Sequence, residues 1–377
     1  MSAIRLSPAG LTALRARIDR ELGAGLITAG QVAIAHRGEV IAFQSFGDAD
    51  DASRFFIFSA TKTITAAALL PHLADATVGL THPVREYVPE FAANGLHDCT
   101  VLQLLTMQGG FPQAPMSRKL WGTRDGRRQQ FAEWRPEYRP GTRTEYHPAS
   151  AHWVIAEIIE AVGGRPYPDL VHERVVAPAG VAPLLGRAAV DGRAPTAVRS
   201  VGTYPPDRSL LVAEYGRDDL VPDAVISHDA VLGMNDPRSW DIAIPGGGGI
   251  TTAHDLALVY QHLLHNNGGA LPDEWLADAT GVIRNASVSA SDKVPANRTL
   301  IAYVSGSDGF HDHRWMPAPP RAFGHGGMGG QLAWADPATG ISFAFVHDTL
   351  NADPRVEFRR ARDLHRLVLE AVGATST

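Results

Sequence analysis

The sequence predicts an α/β (α+β) protein, with a sheet domain assembled from both ends of the chain and a mainly helical insertion between them. Three observations carry this. Apolar runs at 31–35 and 40–43 flank a turn at Gly38, a second pair at 331–335 and 341–347 flanks a turn at 336–340, and from Thr61 to about Val201 the apolar spacing is mostly helical. The expected division is residues 1–60 and 245–377 as the sheet domain and 61–244 as the helical insertion, with the functional site at their junction.

Taken in order, Ser7-Pro8 supplies an N-cap and a proline at the first helical position, and Leu11, Leu14, Ile18 and Leu22 recur at helical spacing. An amphipathic helix therefore opens the chain and lies on the sheet. A strand over 55–58 runs straight into Ser59. Within the insertion, 66–73, 101–106 and 152–162 are the clearest helical segments. Pro71 conflicts with the first, because a proline inside a helix removes a backbone donor and kinks or ends it. Residues 186–241, rich in Arg, Asp, Pro and Gly, are expected to be irregular. Pro245 and four glycines lead into a helix over 254–265, and 355–372 closes the chain as a helix just after Pro354.

The 377 residues are 45% hydrophobic and 20% charged, a balance that supports a large core. With 34 basic and 40 acidic residues the net charge is −6, without blocks of either sign, so neither nucleic acid nor an anionic membrane is an expected partner. A small molecule is. The lone Cys99 excludes an intramolecular disulfide or a CxxC site and fits a reducing compartment; it is expected to be a buried small hydrophobe. Arg5, Arg15, Arg17, Asp19 and Arg20 interrupt the first twenty residues, so no signal-peptide pattern is visible, and no run has membrane-span length. A cytoplasmic location is expected. The patterns Asn285-Ala-Ser287 and Asn297-Arg-Thr299 match a glycosylation acceptor and are set aside as chance.

The chemistry begins at Ser59-Ala60-Thr61-Lys62, where a strand gives way to a helix. Positions i and i+3 share a helical face, so the Lys62 amine falls beside the Ser59 hydroxyl, an arrangement that suits an activated nucleophile. Taken alone, the spacing also describes a solvated lysine after an N-cap serine. The chain has only three lysines, Lys62, Lys119 and Lys293, and otherwise uses arginine, which cannot accept a proton. A lysine at this offset is therefore informative.

Phe58-Ser-Ala-Thr-Lys-Thr63, Leu104-Leu-Thr106 with Gly110-Phe-Pro112, Pro140-Gly-Thr-Arg-Thr-Glu-Tyr146, residues 245–256 and Gly324-His-Gly-Gly327 follow one another in an order that resembles the serine β-lactamase-like, penicillin-recognising family. That family includes class C β-lactamases, D-alanyl-D-alanine peptidases and related carboxylesterases. The resemblance spans nearly the whole chain and implies a β-lactamase/transpeptidase-like fold, with an antiparallel sheet flanked by helices. It implies that Tyr146 faces Ser59, that Ser59, Lys62 and Tyr146 are the catalytic residues, and that the backbone amides of Ser59 and Met328 form an oxyanion hole. Free lysine and tyrosine both titrate near pH ~10, so the base is assigned to the coupled pair and not to either member.

His325, Gly326 and Gly327 stand where relatives carry Lys-Thr-Gly or His-x-Gly. His325 either orients substrate or tunes the proton network, or is simply a turn residue, and the glycines let substrate approach the strand. Phe111, Trp121, Trp153 and Trp315, with Trp134, are expected near the cleft, where one or two would form an apolar pocket for substrate. His311-Asp312-His313 lacks further ligands, and residues 245–249 are not followed by Gly-Lys-Ser/Thr, so no metal and no nucleotide cofactor is expected. Many relatives follow the tyrosine with x-Asn, whose amide grips a peptide-like group. This chain has Tyr146-His147-Pro148, and Gly109 replaces a serine common in the preceding motif. The expectation is a carboxylesterase acting on a small or medium ester. An acyltransferase with the same acyl-enzyme, a β-lactamase or D-amino-acid peptidase, and a non-catalytic binding protein are the alternatives.

Overall fold

The computed structural model describes residues 4–190, 192–203, 207–216, 218, 226–291, 293–306 and 319–374. Its strands are β1 (Ala29–His36), β2 (Glu39–Gly47), β3 (Phe55–Phe56), β4 (Arg199–Val201), β5 (Ile250–Thr251), β6 (Tyr303–Val304), β7 (Phe323–Gly324), β8 (Leu332–Asp336), β9 (Ile341–His347) and β10 (Thr349–Asn351). The main sheet is antiparallel with the order β2-β1-β9-β8-β7-β6. The two expected hairpins meet where Ala33 of β1 pairs with Ala344 of β9. This junction draws both ends of the chain into one sheet.

Side chains alternate across a strand, and here the alternation separates large from small. Val32, Ile34, Leu332, Trp334, Phe343 and Phe345 pack with Leu14, Ile18, Leu364 and Val368 of the first and last helices, Pro8–Gly23 and Pro354–Val372. The opposite face carries Ala33, Ala35, Ala333, Ala335 and Ala344, and the helix Ala253–His265 packs against it. Small side chains allow that helix close to the backbone. The two outer helices are also joined by charge, since the buried Arg360 pairs with Glu21, which takes a second bond from Arg17 at 2.8 Å.

Three expectations are corrected. The helix over 66–73 is two helices, Thr61–Ala67 and Leu70–Ala74, with Pro71 in the first turn of the second, where its missing N–H is no loss. The strand before Ser59 ends at Phe56, where β3 pairs with β5. Residues 186–241 are not wholly irregular: β4 pairs parallel with β10, and Ser209–Tyr215, His228–Leu232 and Pro237–Trp240 are helical. Elements this short leave little periodicity to read. Among the described residues no helix is long and apolar enough to cross a membrane.

Candidate active site

The turn that presents Ser59 is built from backbone pairings. The Phe55–Thr251 and Phe56–Ile250 pairs hold the incoming chain, and Ile57 N–H donates to the Gly249 carbonyl at 2.9 Å. Phe58 then adopts φ +45°, a left-handed conformation that costs a residue with a side chain about 1–3 kcal/mol. Burial of its ring holds it there, together with a 2.6 Å bond from the Thr61 hydroxyl to its carbonyl. The reversal leaves Ser59 half-buried and Lys62 one turn further on.

Lys62 is fully buried. Its Nζ lies 3.1 Å from Ser59 Oγ and 2.7 Å from the carbonyl oxygens of both Pro148 and Gly246. Burial, reinforced by the nearby Arg298 charge, holds the amine well below the ordinary lysine range. A neutral amine has two hydrogens and one lone pair. The two carbonyls can only accept, so they take both hydrogens and leave the lone pair for the Ser59 hydroxyl. Tyr146 completes the cluster, with its hydroxyl 2.9 Å from Ser59 Oγ and its ring centroid 5.3 Å from Lys62 Nζ. The structure thus brings Ser59, Lys62 and Tyr146 together.

Three buried histidines surround this group. His147 Nδ1 sits 2.7 Å from the Glu145 carbonyl, and its Nε2 receives the Phe111 N–H at 3.2 Å, so Nδ1 carries the proton; burial brings its pKa down to about 4. His152 approaches the Lys62 carbonyl at 3.3 Å. His325 Nδ1 is 2.7 Å from the Gly326 carbonyl, its Nε2 has no hydrogen-bond partner among the described residues, and its ring lies 5.9 Å from that of Tyr146. Burial first, then Arg298, keeps His325 neutral. His325 therefore lies beside the cluster and not in an exposed turn.

Gly327 faces the nucleophile turn. A Cβ at this position would lie 2.3 Å from the Ile57 carbonyl oxygen, so only glycine allows the strand end, with the half-buried Met328 next to it, this close to the turn. The aromatic expectations fare less well. Phe111 is 0% exposed and Trp153 2%. Phe111 packs among Phe91, Trp134 and His147, while Trp153 packs against Trp121, so Phe111, Trp134 and Trp153 are core residues and the expectation that they form pocket wall is corrected. Trp121 is half-buried, beneath Arg118. Trp315 and His311-Asp312-His313 lie outside the described residues.

One residue of the site was not anticipated. Arg298 is buried with its Cζ 3.5 Å from the Tyr303 ring centroid and 5.4 Å from that of Tyr146. It is delivered by an antiparallel bridge in which Arg298 and Asn285 exchange backbone hydrogen bonds. Asn285 is in turn anchored by its side-chain amide to the Thr106 carbonyl at 2.9 Å and the Thr144 hydroxyl at 3.0 Å. No periodicity marks such a residue.

An antiparallel sheet covered by helices on both faces and a Ser-x-x-Lys turn faced by a tyrosine define a β-lactamase/transpeptidase-like protein. The Beta-lactamase family model matches residues 14–367, and the chain belongs to that family of hydrolases. It is 30% identical over 321 residues to the Esterase/beta-lactamase LipL of Mycobacterium tuberculosis (strain ATCC 25618 / H37Rv), covering 78% of this chain and 69% of LipL. Among solved structures it is similar to a penicillin-binding protein homolog from Caulobacter crescentus (TM-score 0.76, 21% identity, 98% of this chain and 100% of that one). It is also similar to a family VIII carboxylesterase (TM-score 0.74, 22% identity, 97% and 98%).

Proposed function

We propose that this chain is a serine carboxylesterase that cleaves small or medium esters through an acyl-enzyme on Ser59. The observation that carries the reading is the double approach to Ser59 Oγ, by Lys62 Nζ at 3.1 Å and the Tyr146 hydroxyl at 2.9 Å. Ser59 Oγ attacks the ester carbonyl as its proton passes to the Lys62 lone pair, forming a tetrahedral oxyanion held by the amides of Ser59 and Met328. The C–O bond to the alcohol then breaks. The leaving oxygen receives a proton from Tyr146, which regains one from Lys62. Water attacks the acyl-enzyme by the same route in reverse and frees the acid.

Preference for an ester follows from the residues after Tyr146. His147 is committed at both ring nitrogens, and the Pro148 carbonyl is committed to Lys62, so neither presents a side-chain amide to a lactam or peptide. The LipL name, which carries esterase beside beta-lactamase, agrees with this direction. The test is hydrolysis of short-chain p-nitrophenyl esters by the protein and by Ser59→Ala, with intact mass spectrometry for the acyl adduct. Turnover and adduct are both expected to vanish in the variant. Turnover unchanged in Ser59→Ala would overturn the assignment, and rapid turnover of a chromogenic cephalosporin without ester turnover would move it to the β-lactamase branch.

A further inference from the structure

Arg298 is 3% exposed, and among the described residues no carboxylate forms an ion pair with it; its Nη2 makes no hydrogen bond. A buried charge without a counterion is strongly unfavourable, so its retention calls for a reason. Its surroundings supply one. The guanidinium rests on the Tyr303 ring and lies 5.4 Å from the Tyr146 ring centroid, while Lys62 Nζ is 5.3 Å from that same centroid. Tyr146 thus has two basic side chains about it in a buried site. Two positive charges there would repel at low effective dielectric. Arginine cannot give up its proton, whereas a buried lysine can.

We propose that Arg298 is a positioning residue for the Ser59 chemistry, a fixed buried cation that keeps the Lys62 amine neutral, with its lone pair on Ser59, and steadies negative charge on the Tyr146 oxygen. The assignment rests on the roles given above to Lys62 and Tyr146. Among the described residues, the other titratable groups facing the pair do not offset the charge. His147, His152 and His325 are buried and kept neutral, each by burial first, with Arg298 acting in the same direction on all three. Glu145, next to Tyr146, is paired with Arg143 at 2.8 Å. The strap that carries Arg298 is fixed to the cluster through Asn285, whose amide bonds reach the Leu-Leu-Thr segment and the stretch leading to Tyr146. The charge is therefore held at a set place.

The three lysines make the test direct. In protein labelled with [13Cε]lysine, Lys119→Arg and Lys293→Arg identify the Lys62 resonance by elimination, and its titration is followed by NMR without substrate. In the otherwise unchanged protein, Lys62 is expected to titrate well below Lys119 and Lys293. In Arg298→Met and Arg298→Gln its midpoint is expected to rise by about one pH unit, and the acid limb of ester kcat/KM to move with it. A packing role alone would not move the midpoint. An unmoved midpoint in either folded variant overturns the proposal and leaves ester hydrolysis standing. A raised midpoint without ester turnover by the parent supports Arg298 and removes the esterase reading. If neither variant folds, a Lys62 midpoint in the unsubstituted protein equal to those of the other two lysines overturns it without them.

Discussion

Lys62 and Pro148, 86 residues apart in the chain, are joined by a 2.7 Å hydrogen bond from the lysine amine to the proline carbonyl. A proline has no N–H to give, but its carbonyl is intact, and together with Gly246 it takes the two hydrogens of a neutral amine. Replacing Lys62 by arginine keeps hydrogen-bond donors but supplies no lone pair. Lys62→Arg is expected to lower kcat/KM for a p-nitrophenyl ester by at least about 10³-fold, measured at pH 8. In the parent protein, kcat/KM is expected to rise with pH through an acid limb below the ordinary lysine range, because the active form is the deprotonated amine and burial lowers its pKa. A flat profile, taken where chemistry limits the rate, would count against a titrating lysine.

Tyr146→Phe separates the hydroxyl from the ring. The ring keeps its place beside Lys62 and Arg298, so the variant is expected to fold with nearly unchanged stability. The bond to Ser59 Oγ is lost, and with it the donor to the leaving oxygen. A fall in kcat/KM of about 10²–10⁴-fold is expected for esters with poorly leaving alcohols, and a smaller one for p-nitrophenyl esters, whose leaving group needs little protonation. Equal losses for the two substrate types would sink the proton-donor role.

Gly109 stands where relatives often carry serine, and the structure gives a reason. A Cβ there would lie 2.6 Å from the edge of the Phe111 ring, which is itself packed against Phe91, Trp134 and His147 and cannot withdraw. Gly109→Ser is therefore expected to destabilise the fold by about 1–3 kcal/mol in urea unfolding, as an overpacked core does. Restoring the serine is not expected to bring β-lactam turnover, since the residues after Tyr146 stay committed as before.

What could be read from the sequence follows from how local each signal is. Ser59 and Lys62 are three positions apart on one turn, and Tyr146 closes a recognisable Pro-Gly-Thr segment, so their meeting was legible. Arg298 arrives through a bridge to Asn285 and lies inside a pattern that reads as an idle glycosylation acceptor. Neither composition nor spacing marks it. Phe111 and Trp153 misled because they sit close in sequence to the residues of the site while their side chains turn into the core; proximity along a chain does not fix the direction of a side chain. Strands β6 and β7, two residues each, are too short for any alternation to show.

The same burial that shapes the site makes the fold sensitive to acid. His147 is neutral and fully buried, with its pKa lowered from 6.5 to about 4. Between those values His147 binds a proton in the unfolded chain that it does not bind in the folded one, so its contribution to stability is complete above pH 6.5 and is lost as pH falls toward 4. His147 alone removes about 2 kcal/mol by pH 5 and about 3 kcal/mol by pH 4. His152, His325 and His347 are lowered in the same direction, each by burial first, and add to the loss. The exposed Asp50 and the half-buried Asp236, with pKa values of about 2, titrate below this window. Glu357 acts in the opposite sense: burial raises its carboxyl to about 7, so between 4.5 and 7 the folded chain holds a proton the unfolded one lacks, and urea unfolding at pH 7 and pH 5 reads the balance of the two. His147→Gln, whose amide still offers one donor and one acceptor, is expected to start lower at pH 7 and, between pH 7 and pH 5, to change more favourably than the parent by about 2 kcal/mol. The same pH 7-to-5 change in the parent and in His147→Gln would mean that His147 is not held neutral, and the neutral environment assigned to Lys62 beside it would fall with that result.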